Sequence, residues 1–298
     1  MTTPRVIHAA DELAAVVAQW KNAGDSISLV PTMGALHDGH LALVTRAREE
    51  ATRVVVSVFV NPLQFGAGED FDRYPRELAS DVETLVGHGV DVVFAPEVGD
   101  IYPDWPHSQP TVFAGPVGDV FEGSDRPGHF DGVLTVVSKL FDLVSCDQAV
   151  FGQKDAQQVF LVGQMAAHRT PPVRIIVVDT VRATDGVALS SRNTYLSAAA
   201  RESATAISHA VLQVASALER VSGDTLTSDD IDQVLDSARG QLAGQGRTLH
   251  YLDVVDQHTF TPFRGGPLRQ GVVIVACSVD GVRLIDAVGV TPGTTADD

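Results

Sequence analysis

The strongest constraint on the fold is an alternation that runs through the first half of the chain. Short runs of β-branched and apolar residues follow one another with helix-spaced apolar residues between them. Ser26 to Val30, Val54 to Val60 and Val90 to Phe94 read as strands. Leu13, Val16, Val17 and Trp20 recur at helical spacing before a stop at Gly24. A second helix is expected to begin near Gly39, and Leu78, Val82, Leu85 and Val86 mark a third. The order β-α-β-α-β continues through a helical Gly132–Val144, a strand at Ala149–Phe151, a helical Val159–Ala167 and an extended Arg174–Val178. Parallel strands need crossover connections, and helices supply them, so the pattern implies α/β architecture.

The expected fold is therefore a Rossmann-like, doubly wound parallel sheet over residues 1–180, followed by a smaller α+β domain over 181–290. The change of pattern comes after Thr180. A turn is expected at Thr184-Asp185-Gly186, helices within Ala198–Val221 and Ser228–Leu242, and strands at Thr248–Val255, Gly271–Cys277 and Val282–Asp286. Residues 291–298, rich in Thr, Gly and Asp, read as a disordered tail. With 44% hydrophobic and 20% charged residues in a chain of 298, a sizeable core is available and a disordered or low-complexity chain is excluded. Lys+Arg 21 against Asp+Glu 38 leaves a formal charge of −17, which disfavours nucleic acid or an anionic membrane as a partner. Cys146 and Cys277 form no C-x-x-C pair. The start has no basic-then-apolar signal order, and the apolar runs fall far short of the roughly 18 residues of a membrane span. A soluble, cytoplasmic protein is expected.

The most informative local segment is Pro31-Thr-Met-Gly-Ala-Leu-His-Asp-Gly-His40, because it leaves a strand and enters a helix. Ligands of open α/β sheets bind at the carboxyl ends of strands, and helix N-termini attract phosphate through unpaired N–H groups. Gly34 and Gly39 permit tight turning or close approach, and His37 and His40, three residues apart, share a face of the first turn. Three readings of the pair stand at this point: capping or structural histidines, donors to a nucleotide's phosphates, or part of a metal site. Neither a Gly-x-Gly-x-x-Gly after the first strand nor a Gly-x-x-x-x-Gly-Lys-[Ser/Thr] loop is present, so NAD-binding and P-loop readings fail. No Gly-x-Ser-x-Gly elbow suggests a nucleophilic serine.

His37-Asp38-Gly39-His40 resembles the His-x-Gly-His signature of the nucleotidyltransferase superfamily. Four further segments, in order, resemble those of the pantoate–β-alanine ligases (pantothenate synthetases): Phe59-Val-Asn-Pro-Leu-Gln-Phe65, Arg126-Pro-Gly-His-Phe-Asp-Gly132, Phe151-Gly-Gln-Lys-Asp155 and Ser190-Ser-Arg-Asn-Thr-Tyr-Leu-Ser197. The resemblance covers about Val30 to Ser197. It implies that ATP and pantoate form pantoyl adenylate and pyrophosphate, and that β-alanine then gives pantothenate and AMP, in a cytoplasmic homodimer whose smaller domain covers the site. It also implies catalytic roles for His37, His40, Lys154, Ser190, Ser191 and Arg192. ATP contacts would come from Met33, Gly34, Ala35, Leu36, His37, Asp38, Gly39, His40, Gly152, Gln153, Lys154, Asp155, Val181, Leu189, Ser190, Ser191 and Arg192. Pantoate and β-alanine contacts would come from Asn61, Gln64 and Gln158, with Phe65 shaping the pocket.

Taken without that context, Lys154 reads as a solvated lysine, Ser190 and Ser191 as turn caps, and Gln64 and Gln158 as loop and helix-surface glutamines. Gln157 neighbours Gln158, and alignment on Lys154-Asp155 selects the latter. Mg2+ is expected with ATP. Its protein ligand stays unassigned, with Asp81 and Asp155 as candidates. The chain departs from the family at Ala156, where an aromatic residue is expected. Gly66–Arg76, aperiodic and mixed in Gly, acidic and aromatic residues, fits a flexible flap over the intermediate that would shield an adenylate from water. The rival readings are a sibling nucleotidyltransferase, which should lack the Asn61 to Phe65 and Arg126 to Gly132 segments, an aminoacyl-tRNA synthetase, disfavoured by charge, and a nucleotide-binding module without turnover.

Overall fold

A computed structural model describes residues 2–220, 226–244, 246–268 and 270–291. The chain divides into two compact units. The first comprises Met1–Phe151 and Leu161–Val178, and the second Gly152–Phe160 and Asp179–Asp298. The segment Gly152–Phe160, between the two stretches of the first unit, groups with the second.

The first unit is built on a six-stranded sheet of β1 (Arg5–Ile7), β2 (Ile27–Thr32), β3 (Arg53–Val58), β4 (Val92–Phe94), β5 (Gln148–Gly152) and β6 (Arg174–Val178), in the order β1-β4-β3-β2-β5-β6. Its pairings β1 to β4, β4 to β3, β3 to β2 and β2 to β5 are all parallel. The run that reads Val54-Val55-Val56 explains itself here: all three are 0% exposed, because a central parallel strand is covered on both faces. Helices α1 (Ala10–Asn22), α2 (Asp38–Glu50), α3 (Leu78–Leu85), α4 (Val98–Ile101), α5 (Glu122–Asp125) and α6 (His129–Val144) follow in chain order, then α7 (Ala156–Ala167). Val30, Val54, Val56 and Val93 pack with Val44 and Ala47 of α2 and Leu85 of α3. Strand β1 lies outside the sequence expectation: three residues at a sheet edge carry too short a pattern to register.

In the second unit, α8 (Ala198–Glu219) and α9 (Ser228–Leu242) accompany an antiparallel meander of β7 (Arg247–Asp256), β8 (Gly271–Val279) and β9 (Val282–Val290). Ile207, Val211, Val214 and Leu218 of α8 and Ile231 and Leu235 of α9 form one core with Val273, Val275 and Cys277 of the central strand. Ser197 caps α8 by accepting the Ala200 N–H at 3.1 Å, and Thr227 caps α9 by accepting that of Asp230 at 3.2 Å. Asp280 and Gly281, with φ of 47° and 81°, form the two-residue turn between β8 and β9, the conformation an Asp-Gly pair favours. Val221 and the tail at 292–298 lie outside the described residues. Among the described residues no helix is long and apolar enough to cross a membrane.

One junction in the first unit bears directly on function. Helix α6 begins at His129, three residues before its periodicity suggests, after Gly128 turns with φ of 79°. A Cβ on Gly132 would sit 2.2 Å from the Leu63 carbonyl oxygen, so only glycine lets α6 touch the turn at Pro62–Gln64. Asn61, 1% exposed, spans the contact. Its Nδ2 donates to the Gly132 carbonyl and to Gln64 Oε1, both at 3.1 Å, and its Oδ1 accepts from the Tyr102 hydroxyl at 2.8 Å. His129 Nδ1 lies 2.9 Å from the Gln64 carbonyl, which can only accept, so Nδ1 carries the hydrogen and Nε2 accepts from Arg126 Nη1 at 3.0 Å.

Burial, followed by the Arg126 charge, pushes His129 from its ordinary 6.5 down to about 4. Between those values the unfolded chain binds a proton that the folded chain excludes, so stability is complete above pH 6.5 and falls as pH drops toward 4. The full loss is on the order of 3 kcal/mol. Thermal melts of wild type and His129→Gln, compared from neutral pH downward, are expected to show a wild-type advantage that shrinks across this window; a difference independent of pH would contradict it.

Candidate active site

The loop that leaves β2 has to reverse direction before α2 starts, and it does so through two left-handed residues, Gly34 with φ of 83° and Ala35 with φ of 53°. The conformation is held from outside the loop. Asp81 on α3, 3% exposed, accepts the Leu36 N–H on Oδ1 at 2.8 Å and the Ala35 N–H on Oδ2 at 3.2 Å. A Cβ on Gly34 would lie 2.8 Å from Asp81 Oδ2 and 3.1 Å from Val58 Cγ1, so glycine is required for space as well as for φ. Burial pushes the Asp81 carboxyl above the usual range, and its two N–H donors oppose that shift. Its place is thus set by the loop: both carboxylate oxygens bond backbone N–H groups.

His37 stands at the N-cap of α2. Its Nδ1 accepts the Gly39 N–H at 3.2 Å, and His40 Nδ1 accepts the His37 N–H at 3.2 Å. The two rings lie 4.1 Å apart between centroids. With Nδ1 of each ring accepting, the neutral imidazole carries its hydrogen on Nε2, which makes that nitrogen a donor. The capping reading and the phosphate-donor reading are therefore compatible, because they use different nitrogens. For the metal reading, the described residues contain no group of three or more His, Cys, Asp or Glu placed to hold an ion.

Gln64 ends the short turn after β3. Its Oε1 accepts from Asn61, and its Nε2 lies 3.1 Å from Met33 Sδ, so Met33, Asn61 and Gln64 form one connected group. Asn61 is saturated by protein partners and serves to orient Gln64. The flap segment Gly66–Arg76 is folded: it contains a 3-10 turn at Phe71–Arg73, and Phe65 meets Phe71 and Tyr74 edge-on at centroid distances of 5.3 and 6.3 Å.

The second unit carries the other candidates. Gly152 leads into a 3-10 turn, Gln153–Asp155, in which Lys154 Nζ lies 3.4 Å from Asp155 Oδ2. Gln157 and Gln158 separate by environment, the first buried and the second half-buried. Ala156 is 8% exposed at the start of α7, a core position. Val181 and Leu189 face each other across the expected turn, with the Leu189 N–H donating to the Val181 carbonyl at 2.9 Å. Ser190 Oγ caps the next 3-10 turn, Ser191–Tyr195, by accepting the Arg192 N–H at 3.3 Å, and a hydroxyl can accept and donate at once.

Strand β9 holds both of these segments. A Cβ on Gly289 would fall 2.8 Å from Gln153 Nε2, and the Ala287 carbonyl accepts from the Thr180 hydroxyl at 2.7 Å. Asp286, 1% exposed at its side chain, takes both Nη atoms of Arg182 at 2.6 and 2.9 Å. Sequence reasoning missed Arg182 and Asp286, and it missed that Asp81 holds the loop. Partners 104 and about 45 positions apart share no local period, so no sequence signal points to them.

The comparisons with known proteins agree along the whole chain. The family model described as pantoate-β-alanine ligase matches residues 5–289. A pantothenate synthetase of Nocardioides sp. is 47% identical, over 98% of this chain and 87% of that protein. One of Leifsonia xyli subsp. xyli is 51% identical, over 87% of each. Among solved structures, the pantothenate synthetase of Thermus thermophilus superposes with a TM-score of 0.86 at 40% identity, covering 97% of this chain and all of that one. A Francisella tularensis pantoate-β-alanine ligase, described in complex with β-γ ATP and β-alanine, gives 0.73 at 31% identity over 96% of this chain and 97% of its own. With a match from the first strand to the last and relatives near 50% identity over most of the chain, this protein belongs to the pantoate–β-alanine ligase family.

Proposed function

We propose that this chain condenses pantoate with β-alanine, consuming ATP and releasing AMP and pyrophosphate, through an enzyme-bound pantoyl adenylate. The observation that carries the reading is the His37–His40 pair at the N-terminus of α2, in a chain whose family is shown by its full-length match. A carboxylate resists an amine because it is anionic and would have to expel oxide. In the first step a pantoate carboxylate oxygen attacks the α-phosphorus of ATP and pyrophosphate leaves. In the second, the β-alanine amine attacks the acyl carbon, AMP leaves with the carboxylate oxygen, and the amine sheds its proton.

This reading assigns groups within each unit by itself. In the first, the Nε2–H groups of His37 and His40, aided by the positive end of α2, donate to phosphate oxygens as charge moves onto pyrophosphate. Gln64 donates and accepts toward pantoate's hydroxyls and carboxylate without adding a buried charge. In the second, Lys154 and Arg192 supply the positive charge that a chain of net −17 has to gather locally, and Ser190 and Ser191 add hydroxyl donors. Met33–Leu36, Gly152, Gln153, Val181 and Leu189 complete the ATP contacts in this reading, and Gln158 those of pantoate. Mg2+ would arrive on the phosphates of ATP and neutralise their charge, with Asp81, whose two oxygens each accept one loop N–H and keep lone pairs, and Asp155 as the candidate protein ligands. Homodimer formation and a cytoplasmic location belong to the same reading and rest on family resemblance.

Exchange of labelled pyrophosphate into ATP, with pantoate present and β-alanine absent, isolates the first step. Pantoate-dependent exchange is the expected result; neither exchange nor pantothenate formation would move the assignment to a sibling transferase or a silent nucleotide binder. His40→Ala and Lys154→Ala are each expected to lower turnover by roughly 10²-fold, the usual loss on removing one transition-state donor. His40→Ala also removes a cap bond of about 1 kcal/mol, which a melt reports separately. Gln64→Ala should raise KM for pantoate well beyond any change in KM for ATP. Near-wild-type kinetics in all three would refute these roles.

A further inference from the structure

Arg126 belongs to none of the contact sets above, yet at 12% side-chain exposure it hydrogen-bonds three different residues. Its Nε and Nη2 bind the two carboxylate oxygens of Glu69, at 2.9 and 2.6 Å. The same Nη2 reaches the Gln64 carbonyl at 3.3 Å, and Nη1 donates to His129 Nε2, whose ring passes a second hydrogen bond to that carbonyl at 2.9 Å. Glu122, 3.9 Å from Nη1, adds a second acidic neighbour. One guanidinium therefore joins the residue that would meet pantoate to the flap that begins two residues later.

We infer that Arg126 and Glu69 are positioning residues for the pantoate subsite: their fork-to-fork ion pair fixes the Gln64 turn and anchors the first half of the Gly66–Arg76 flap to it. The inference rests on the proposed ligase reading. The geometry explains why each partner is needed. Asn61 orients the Gln64 side chain from within the turn, whereas the Gln64 carbonyl, which sets the direction of the whole residue, is held only from α6 and the segment before it among the bonds described. The flap has a second anchor, the Phe65, Phe71 and Tyr74 cluster, with Arg76 stacked on Phe71 at 4.9 Å and donating to the Phe71 carbonyl. That cluster ties the far half of the flap to Phe65, and Glu69, through Arg126, ties the near half. A bidentate, mostly buried pair is a stronger constraint than an exposed one, and a planar guanidinium is the group that can serve carboxylate, imidazole and carbonyl at once.

Loss of the pair is expected to have two linked effects. Pantoate is held less well, and the adenylate is exposed to water before the amine arrives. The test uses the full-length enzyme with Glu69→Gln, which keeps shape and loses charge, and Arg126→Lys, which keeps charge and loses the fork. Three readings are taken: KM for pantoate and for ATP, pantoate-dependent AMP release with β-alanine omitted, and trypsin cleavage at Arg73 and Arg76, both exposed. Both variants should raise KM for pantoate by about tenfold with KM for ATP changed less than about twofold, a scale ordinary for a misplaced contact. AMP release without β-alanine should rise several-fold over wild type, and cleavage at Arg73 should quicken before that at Arg76. Wild-type values of pantoate KM and AMP release in Glu69→Gln would overturn the inference. So would equal rises in both KM values or a variant that fails to fold, because the pair would then be structural only. If wild type itself shows no pantoate-dependent exchange, it is the ligase reading that fails, and the inference falls with it.

Discussion

The carboxylate of Asp81, lodged on α3 and accepting the N–H groups of Ala35 and Leu36, is the interaction on which the candidate site depends. A strand of a doubly wound sheet delivers the chain to the ligand edge, but the chain then has to turn sharply and present a helix N-terminus there. Gly34 and Ala35 make that turn with positive φ, which leaves the Ala35 and Leu36 N–H groups, on half-buried residues, without a partner inside the loop. Leaving either unbonded would cost about 1–3 kcal/mol. Asp81 satisfies both, and the space it occupies is the space a side chain on Gly34 would need. The desolvation that raises its pKa is the penalty of this arrangement, offset by the fixed position of His37 and His40 a few residues on.

From that fixed position follows the logic of the histidine pair. Each ring uses Nδ1 for a helix-capping bond, and the bond assigns the tautomer, so the hydrogen on Nε2 is set by the fold rather than by the ligand. A chain at −17 cannot attract anions with its overall field. In the proposed reading it relies on oriented donors: the first turn of α2, two imidazoles of assigned tautomer, and in the second unit Lys154 and Arg192 on turns tied to β9 by Gln153, Thr180 and Arg182. Preorganisation of this kind requires no reorganisation at the moment of reaction.

Much of this was legible before any coordinates. The strand at Val54 to Val60, the loop at Pro31 to His40, the turn at Thr184-Asp185-Gly186 and the three strands of the second unit follow from periodicity and turn chemistry, and the order of the five motifs points to the family. What was not legible has a common cause. Strand β1 is too short to show a period. The motif around Asn61 shows in sequence, whereas the hydrogen bonds of its amide to Gly132, Gln64 and Tyr102, two of them far along the chain, do not. The grouping of Gly152–Phe160 with the second unit, where Gly289 leaves room for Gln153, rests on an approach that has no local period.

The sequence by itself determined the class of fold, the chemistry of the donors and the family, since these depend on residue types at short spacings: β-branched runs, a His-x-x-His at a helix start, lysine and arginine on turns. Tertiary structure alone decided which groups remain available for a ligand and which are taken up by the protein. That division depends on bonds between residues 41 to 104 positions apart, such as Asn61 with Tyr102 and Asp286 with Arg182, and on how deeply each group is desolvated. Neither is encoded in any local window, because a side chain's partners are set by where the whole chain returns in space.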